Sequence, residues 1–157
     1  MPNHRVHILS LLAVAMTGVM IIAWMMVTLE SVDPTKATII LPDDTLVVAD
    51  VARTIPDKVR GLSGRDMLGE REGMLFVYEN EEIQTFWMKG MLIDIDIIWL
   101  NQGKIIGIEH SVPAPKNEEI ERRSSQEPVD MVLEVNAGFS SSYGLEPGDN
   151  LDIFWGK

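Results

Sequence analysis

Two carboxylates carry the sharpest chemical signal in this chain. Asp96 falls in residues 94–100 and Glu134 in residues 129–135, two runs that read as β-strands with apolar side chains on both faces. Along the first, Ile95, Ile97 and Trp99 share one face, while Asp94, Asp96, Ile98 and Leu100 share the other. Along the second, Met131, Leu133 and Val135 lie together, opposite Val132 and Glu134. A carboxylate among apolar neighbours loses its hydration, so it must be paired, hydrogen-bonded or protonated. Arg60, Arg65, Lys89 and backbone amides are the available partners. Two roles follow. Either Asp96 and Glu134 line a cleft, with an arginine holding a ligand or one carboxylate acting as general acid or base. Or they form structural ion pairs that close the sheet and anchor the 60–65 loop.

Other constellations are weaker. Gln84-Thr85-Phe86-Trp87-Met88-Lys89 is dense in large side chains. It reads either as ordinary core or as an aromatic binding wall with Lys89 at its rim. His110 is the one histidine beyond the N-terminal tail, and no cysteine exists to help it. A zinc site would need Asp or Glu ligands, and in a strand the adjacent Glu109 points to the opposite face. No metal is therefore expected. The serines lack a G-x-S-x-G elbow, and neither standard phosphate-loop spacing occurs, so the residues imply no cofactor.

The elements that must position these groups are short. Residues 38–41 and 46–52 are candidate strands around a Pro42-Asp43-Asp44 turn. Thr54 as N-cap, Pro56 in the first turn and Asp57 at the positive end of the dipole start a helix. Ile55, Val59 and Leu62 share one of its faces, and Gly61 and Gly64 limit its length. Residues 73–78, 84–88, 94–100, 104–110, 129–135 and 151–155 supply further strands, with Asn101-Gln102-Gly103 as a hairpin turn. Residues 137–143 form a second short helix, capped by Asn136 and ended by Gly144. Residues 116–128 are charged and lack periodicity, which predicts an exposed loop. The sum is a β-rich α+β domain, a compact curled sheet or small barrel of seven to eight strands with two short helices.

The chain is 157 residues long with a net charge of −11, which argues against nonspecific nucleic-acid binding. Its apolar residues are unevenly placed. Residues 8–29 hold no charged side chain, long enough to cross a hydrocarbon core of roughly 30 Å. A cleaved signal peptide needs small residues at a cleavage site; Ala13-Val14-Ala15 comes too soon after His7, and Trp24-Met25-Met26-Val27-Thr28-Leu29-Glu30 offers no small-x-small pattern. An uncleaved transmembrane anchor is the better reading. Arg5 and the terminus before the span, with Glu30 and Asp33 after it, place residues 1–7 in the cytoplasm and the remainder outside the cytoplasmic membrane. Residues 30–37 read as a linker and 38–157 as one extracytoplasmic domain.

The order of motifs is also informative. Val48-Ala49-Asp50, Arg60-Gly61-Leu62-Ser63-Gly64-Arg65 and Gly73-Met74-Leu75-Phe76-Val77 follow one another. Then come Phe86-Trp87-Met88-Lys89, Ile95-Asp96-Ile97-Ile98, the run from Val132 to Gly138, and Gly148-Asp149. Over about residues 45–155 this resembles the prokaryotic family known as domain of unknown function 192, or uncharacterised protein family 0127. Members are commonly exported or membrane-anchored, and the resemblance implies no reaction. It marks Arg60, Arg65, Trp87, Lys89, Asp96 and Glu134 as matches to the recurrent pattern. This chain departs from the pattern at Gly90-Met91, where members usually carry Asn-Thr, and at Asp94, where they usually carry Pro.

The expectation is a membrane-anchored domain that binds a small ligand or an envelope component. Its ligand-binding residues are Arg60, Arg65, Trp87, Lys89, Asp96 and Glu134. The competing expectation is an envelope hydrolase or lyase with Asp96 or Glu134 as general acid or base.

Overall fold

The computed structural model describes residues 33–116 and 121–156. Residues 8–29, read above as an anchor, lie outside them. Among the described residues no helix is long and apolar enough to cross a membrane.

The elements run in the order β1 (Lys36–Ile40), β2 (Leu46–Ala52), α1 (Ile55–Arg60), β3 (Glu72–Glu82), β4 (Thr85–Trp87), β5 (Ile95–Asn101), β6 (Lys104–Val112), β7 (Arg122–Ser124), β8 (Val129–Asn136), α2 (Phe139–Ser142) and β9 (Asp152–Trp155). Strand β1 begins at Lys36, inside the segment read as linker. Seven strands form one mixed sheet in the order β6-β5-β8-β3-β2-β1-β9, and β4 and β7 form a separate two-stranded ribbon. The large sheet curls without closing. Its edges approach at one end, where Lys104 bridges Asn150, but no ladder joins β6 to β9. The barrel alternative is therefore corrected to an open curled sheet, because only the turns at residues 103–105 and 148–151 reach across the gap.

All named strand pairs are antiparallel except β2 with β3. A parallel pair needs a long crossover. Here the crossover carries α1 and the 60–65 turn, and so sets them over one face of the sheet. Thr54 caps α1 as its side-chain oxygen accepts from the Asp57 amide at 3.3 Å. At the other end Gly61, with φ +51°, donates to the Asp57 carbonyl.

The register fixes the two faces. Leu75, Leu133 and Ile98 lie in one row across β3, β8 and β5. They join Ile39, Val47, Leu100 and Phe139 in one apolar cluster. The next row, on the opposite face, is Phe76, Val132 and Trp99, which pack with Leu62, Met88 and Ile97. The central strands are thus buried on both sides, which explains why they read as nearly continuous apolar runs.

Two sequence expectations change. Residues 122–124 lie in the segment read as a loop, yet they form β7, with Phe86 opposite Arg123. Its Arg-Arg-Ser sequence has no apolar alternation to reveal a strand. The ribbon is held by backbone pairing and by Arg123, which meets Glu109 at 3.5 Å and also pairs with Glu121. Asn136 does not cap α2. Gly138 holds that position in the left-handed region, while the Asn136 amide donates to the Leu68 and Gly69 carbonyls.

Gly73 tests the packing between strands. A Cβ there would fall 2.8 Å from the Glu134 carbonyl oxygen, closer than real Cβ atoms come, and 3.2 Å from Leu133 and Val135 side-chain carbons. Gly73→Ala is expected to destabilise by about 2 kcal/mol through overpacking, read as a lowered urea midpoint. An unchanged midpoint would show that β3 and β8 separate at no cost.

Candidate functional site

Asp96 and Glu134 do not share a site. Asp96 pairs with Val135 across β5 and β8, and Ile97 pairs with Glu134, so the two carboxylates lie on opposite faces of the sheet.

Asp96 is fully buried and meets no cation among the described residues. Its Oδ1 accepts from the amides of Ser111 at 2.8 Å and Gly138 at 3.0 Å, and its Oδ2 from the amide of Ser140 at 2.9 Å. Between Ile95 and Ile97 the β5–β6 register shifts, which leaves an extra residue on β6. Ser111 sits in that bulge with φ +49°. Asp96 thus ties a strained bulge to the start of α2. Of the partners the sequence offers, three backbone amides lie within reach on its own face, and among the described residues no arginine does.

Glu134 has the opposite surroundings. It is 5% exposed, its Oε2 has no hydrogen-bond partner, and no cation lies within ion-pair distance among the described residues. Burial pushes its pKa from 4.5 up to about 8. A carboxyl so placed is protonated at neutral pH.

Glu134 forms part of the wall of a cavity of about 190 Å³. Phe76 and Tyr78 of β3 and Phe86 and Trp87 of β4 contribute aromatic walls. Phe86 meets Phe76 edge-on at 4.7 Å and Trp99 at 5.6 Å, which fixes its ring. From α1 and the turn after it come Lys58, Val59, Arg60, Gly61 and Leu62. A Cβ on Gly61 would stand 3.9 Å from Glu134 Oε2, so this bare position borders the carboxyl. Leu62 is buried, but Ile55 and Val59 are 78% and 55% exposed, and Trp87 is 45% exposed. The apolar side of α1 therefore forms the mouth rather than core.

Burial, with Glu134 nearby, pushes Tyr78 up to about 12, so it remains a phenol. Lys58 stands with its Nζ 4.1 Å from the Tyr78 ring centroid. Burial lowers its pKa, Glu79 draws it back up and Arg53 adds to the fall.

Of the six residues singled out in the sequence, the cavity gathers Arg60, Trp87 and Glu134. Arg65 instead donates to Asp50 at 2.6 Å, and Lys36 pairs with the same carboxylate. Burial alone would raise Asp50, but the bonds from Lys36 and Arg65 outweigh it and hold the carboxylate below its usual range. Lys89 contributes backbone. Its carbonyl accepts from Ser63 Oγ at 2.8 Å, and the adjacent Gly90 carbonyl accepts from the Gly64 amide at 2.9 Å. These bonds tie the 60–65 turn to the segment after β4. Met88 lies in the core, as the core reading of this run expects.

Tyr78 and Lys58 are additions. Tyr78 follows Met74 and Phe76 at strand spacing, so parity along β3 would have found it; nothing in the sequence marks Lys58. Among the described residues no three His, Asp or Glu side chains gather to hold a metal ion.

The DUF192 family model, described as an uncharacterised ACR, matches residues 38–153. The chain belongs to the DUF192 family. No curated protein matches it. Two solved structures are similar. One is a candidate transcription regulator of Sinorhizobium meliloti 1021, at 28% identity and TM-score 0.66, covering 78% of this chain and 95% of that one. The other is a protein of unknown function from Novosphingobium aromaticivorans DSM 12444, at 26% identity and TM-score 0.65, covering 80% and 89%. The resemblance read from the motif order is thus correct, and the DUF192 match takes in nearly the whole curled sheet, cavity included.

Proposed function

We propose that this DUF192 protein binds a small, largely apolar ligand in the Glu134 cavity, and that residues 8–29 hold the domain at the outer face of the cytoplasmic membrane. One observation carries the binding reading. A carboxyl is buried in an aromatic cavity with one oxygen lacking any protein partner among the described residues. Such a group costs about 1–3 kcal/mol when unsatisfied, and a ligand oxygen that accepts a hydrogen bond from the neutral carboxyl offsets that cost. The regulator description of one structural neighbour finds no support in the charge of this chain, which is −11.

The Glu134 pKa near 8 also favours a second reading, an enzyme in which Glu134 is the general acid. Asp96 drops out of that reading, since backbone amides occupy it on the far face.

Binding is tested by titrating the full chain, labelled at methionine methyls and held in lipid nanodiscs, with neutral aromatics such as 4-ethylphenol. The Met91 methyl lines the cavity and is expected to shift, while apparent melting temperature rises by mass action. Val59→Trp at the exposed mouth should abolish the shift without loss of stability. If no aromatic moves the Met91 signal, the binding reading fails. For the anchor, a reporter fused after Lys157 is expected to be active only outside the cytoplasm, and cytoplasmic activity would overturn it.

A further inference from the structure

We propose that the ligand is a small organic anion, an aromatic or branched-chain carboxylate whose head meets the cations, Arg60 and Lys58, that line the cavity, and whose body enters toward Glu134. This rests on the binding reading above. The argument is one of charge placement. In a chain with 24 acidic and 13 basic residues, two cations line this one cavity, and neither has an acidic partner within ion-pair distance among the described residues. Glu79 acts on Lys58 from further off, and Asp57 is engaged by Thr54 at the start of α1. The one carboxyl in the lining is Glu134, which burial keeps neutral near pH 7.

The mouth is therefore positive and the interior neutral. A planar guanidinium suits a carboxylate in particular, because it offers two parallel donors. The interior suits a ring or a branched chain: a dry engineered cavity of about 150 Å³ admits benzene, and this one measures about 190 Å³. A neutral Glu134 donates a hydrogen bond, so a ligand with an oxygen acceptor at its far end would meet it.

An isosteric series separates this proposal from its foundation. 4-Ethylbenzoate, 4-ethylbenzamide and 4-ethylbenzamidine share one planar shape but are negative, neutral and positive at pH 6.5. With the full chain in nanodiscs, the benzoate is expected to bind at least tenfold tighter than the benzamide, read from the Met91 methyl shift and by calorimetry. Arg60→Gln combined with Lys58→Gln should bring the benzoate to the level of the benzamide. Raised salt should weaken only the benzoate. If the benzamide binds but the benzoate binds no better, or the benzamidine binds best, the anion proposal is overturned while the cavity remains a ligand site. If none of the three shifts Met91, both readings fall.

Discussion

Glu134→Gln is expected to flatten the dependence of stability on pH between pH 5 and 8. The carboxyl has a pKa of 4.5 when unfolded and about 8 in the folded protein. Between these values the native state holds a proton that the unfolded chain releases. The contribution is fully favourable below pH 4.5 and is lost as pH rises through 8. At 1.36 kcal/mol per unit, the loss is on the order of 5 kcal/mol. Gln carries no proton to lose, so the variant should match the wild type near pH 5 and exceed it by several kcal/mol at pH 8.5. Asp50 acts in the opposite direction, since its lowered pKa makes stability fall as acid protonates it, but both proteins share that limb. Urea denaturation at half-unit pH intervals isolates Glu134 as the difference between the curves. Parallel curves would mean that water reaches the carboxyl and that Glu134 ionises in the folded protein as readily as in the unfolded chain.

The second large effect lies at Asp96. Asp96→Ala removes the acceptor for three buried or half-buried amides. Each stranded donor costs about 1–3 kcal/mol, so the total is expected on the order of 4 kcal/mol. Asp96→Asn is milder, about 2 kcal/mol, because its remaining oxygen still serves Ser111 and Gly138 while its amide faces the Ser140 N–H. The two variants together separate lost acceptors from lost charge. Neither should alter ligand affinity at temperatures where the protein is folded, because the cavity is on the other face. Changes within 0.5 kcal/mol for both would show that solvent, not Asp96, satisfies these amides.

The strand faces were legible because parity along β5 and β8 needs no partner. Ile95, Ile97 and Trp99 do share a face, as do Val132 and Glu134. Whether Asp96 and Glu134 meet depends on the register between the strands, and one residue of slip reverses the answer. Single-strand patterns carry no register, so the sequence leaves open whether the two carboxylates meet. Closure of the sheet depends likewise on an edge-to-edge pairing between residues far apart in sequence. Strand β7 was invisible because Arg122-Arg123-Ser124 packs no apolar face of its own. Arg60, Trp87 and Glu134 were found through residue type and the family pattern. Lys58 escaped, because a lysine on a short helix looks like any solvated residue until the crossover places it against Tyr78.

The exposed apolar side of α1 also bears on how such proteins can diverge. Ile55 and Val59 line the cavity but bury little of themselves, so substitutions there fall among surface changes, usually within about 0.5 kcal/mol. Glu134, Phe76 and Leu62 are tied to the interior and cannot drift so freely. Under the proposed binding role, a lineage can exchange the residues at the mouth and acquire a new ligand while the sheet beneath stays intact. The fold thus separates the exposed wall of the cavity from the part that keeps the protein folded, and the boundary between them runs along one six-residue helix.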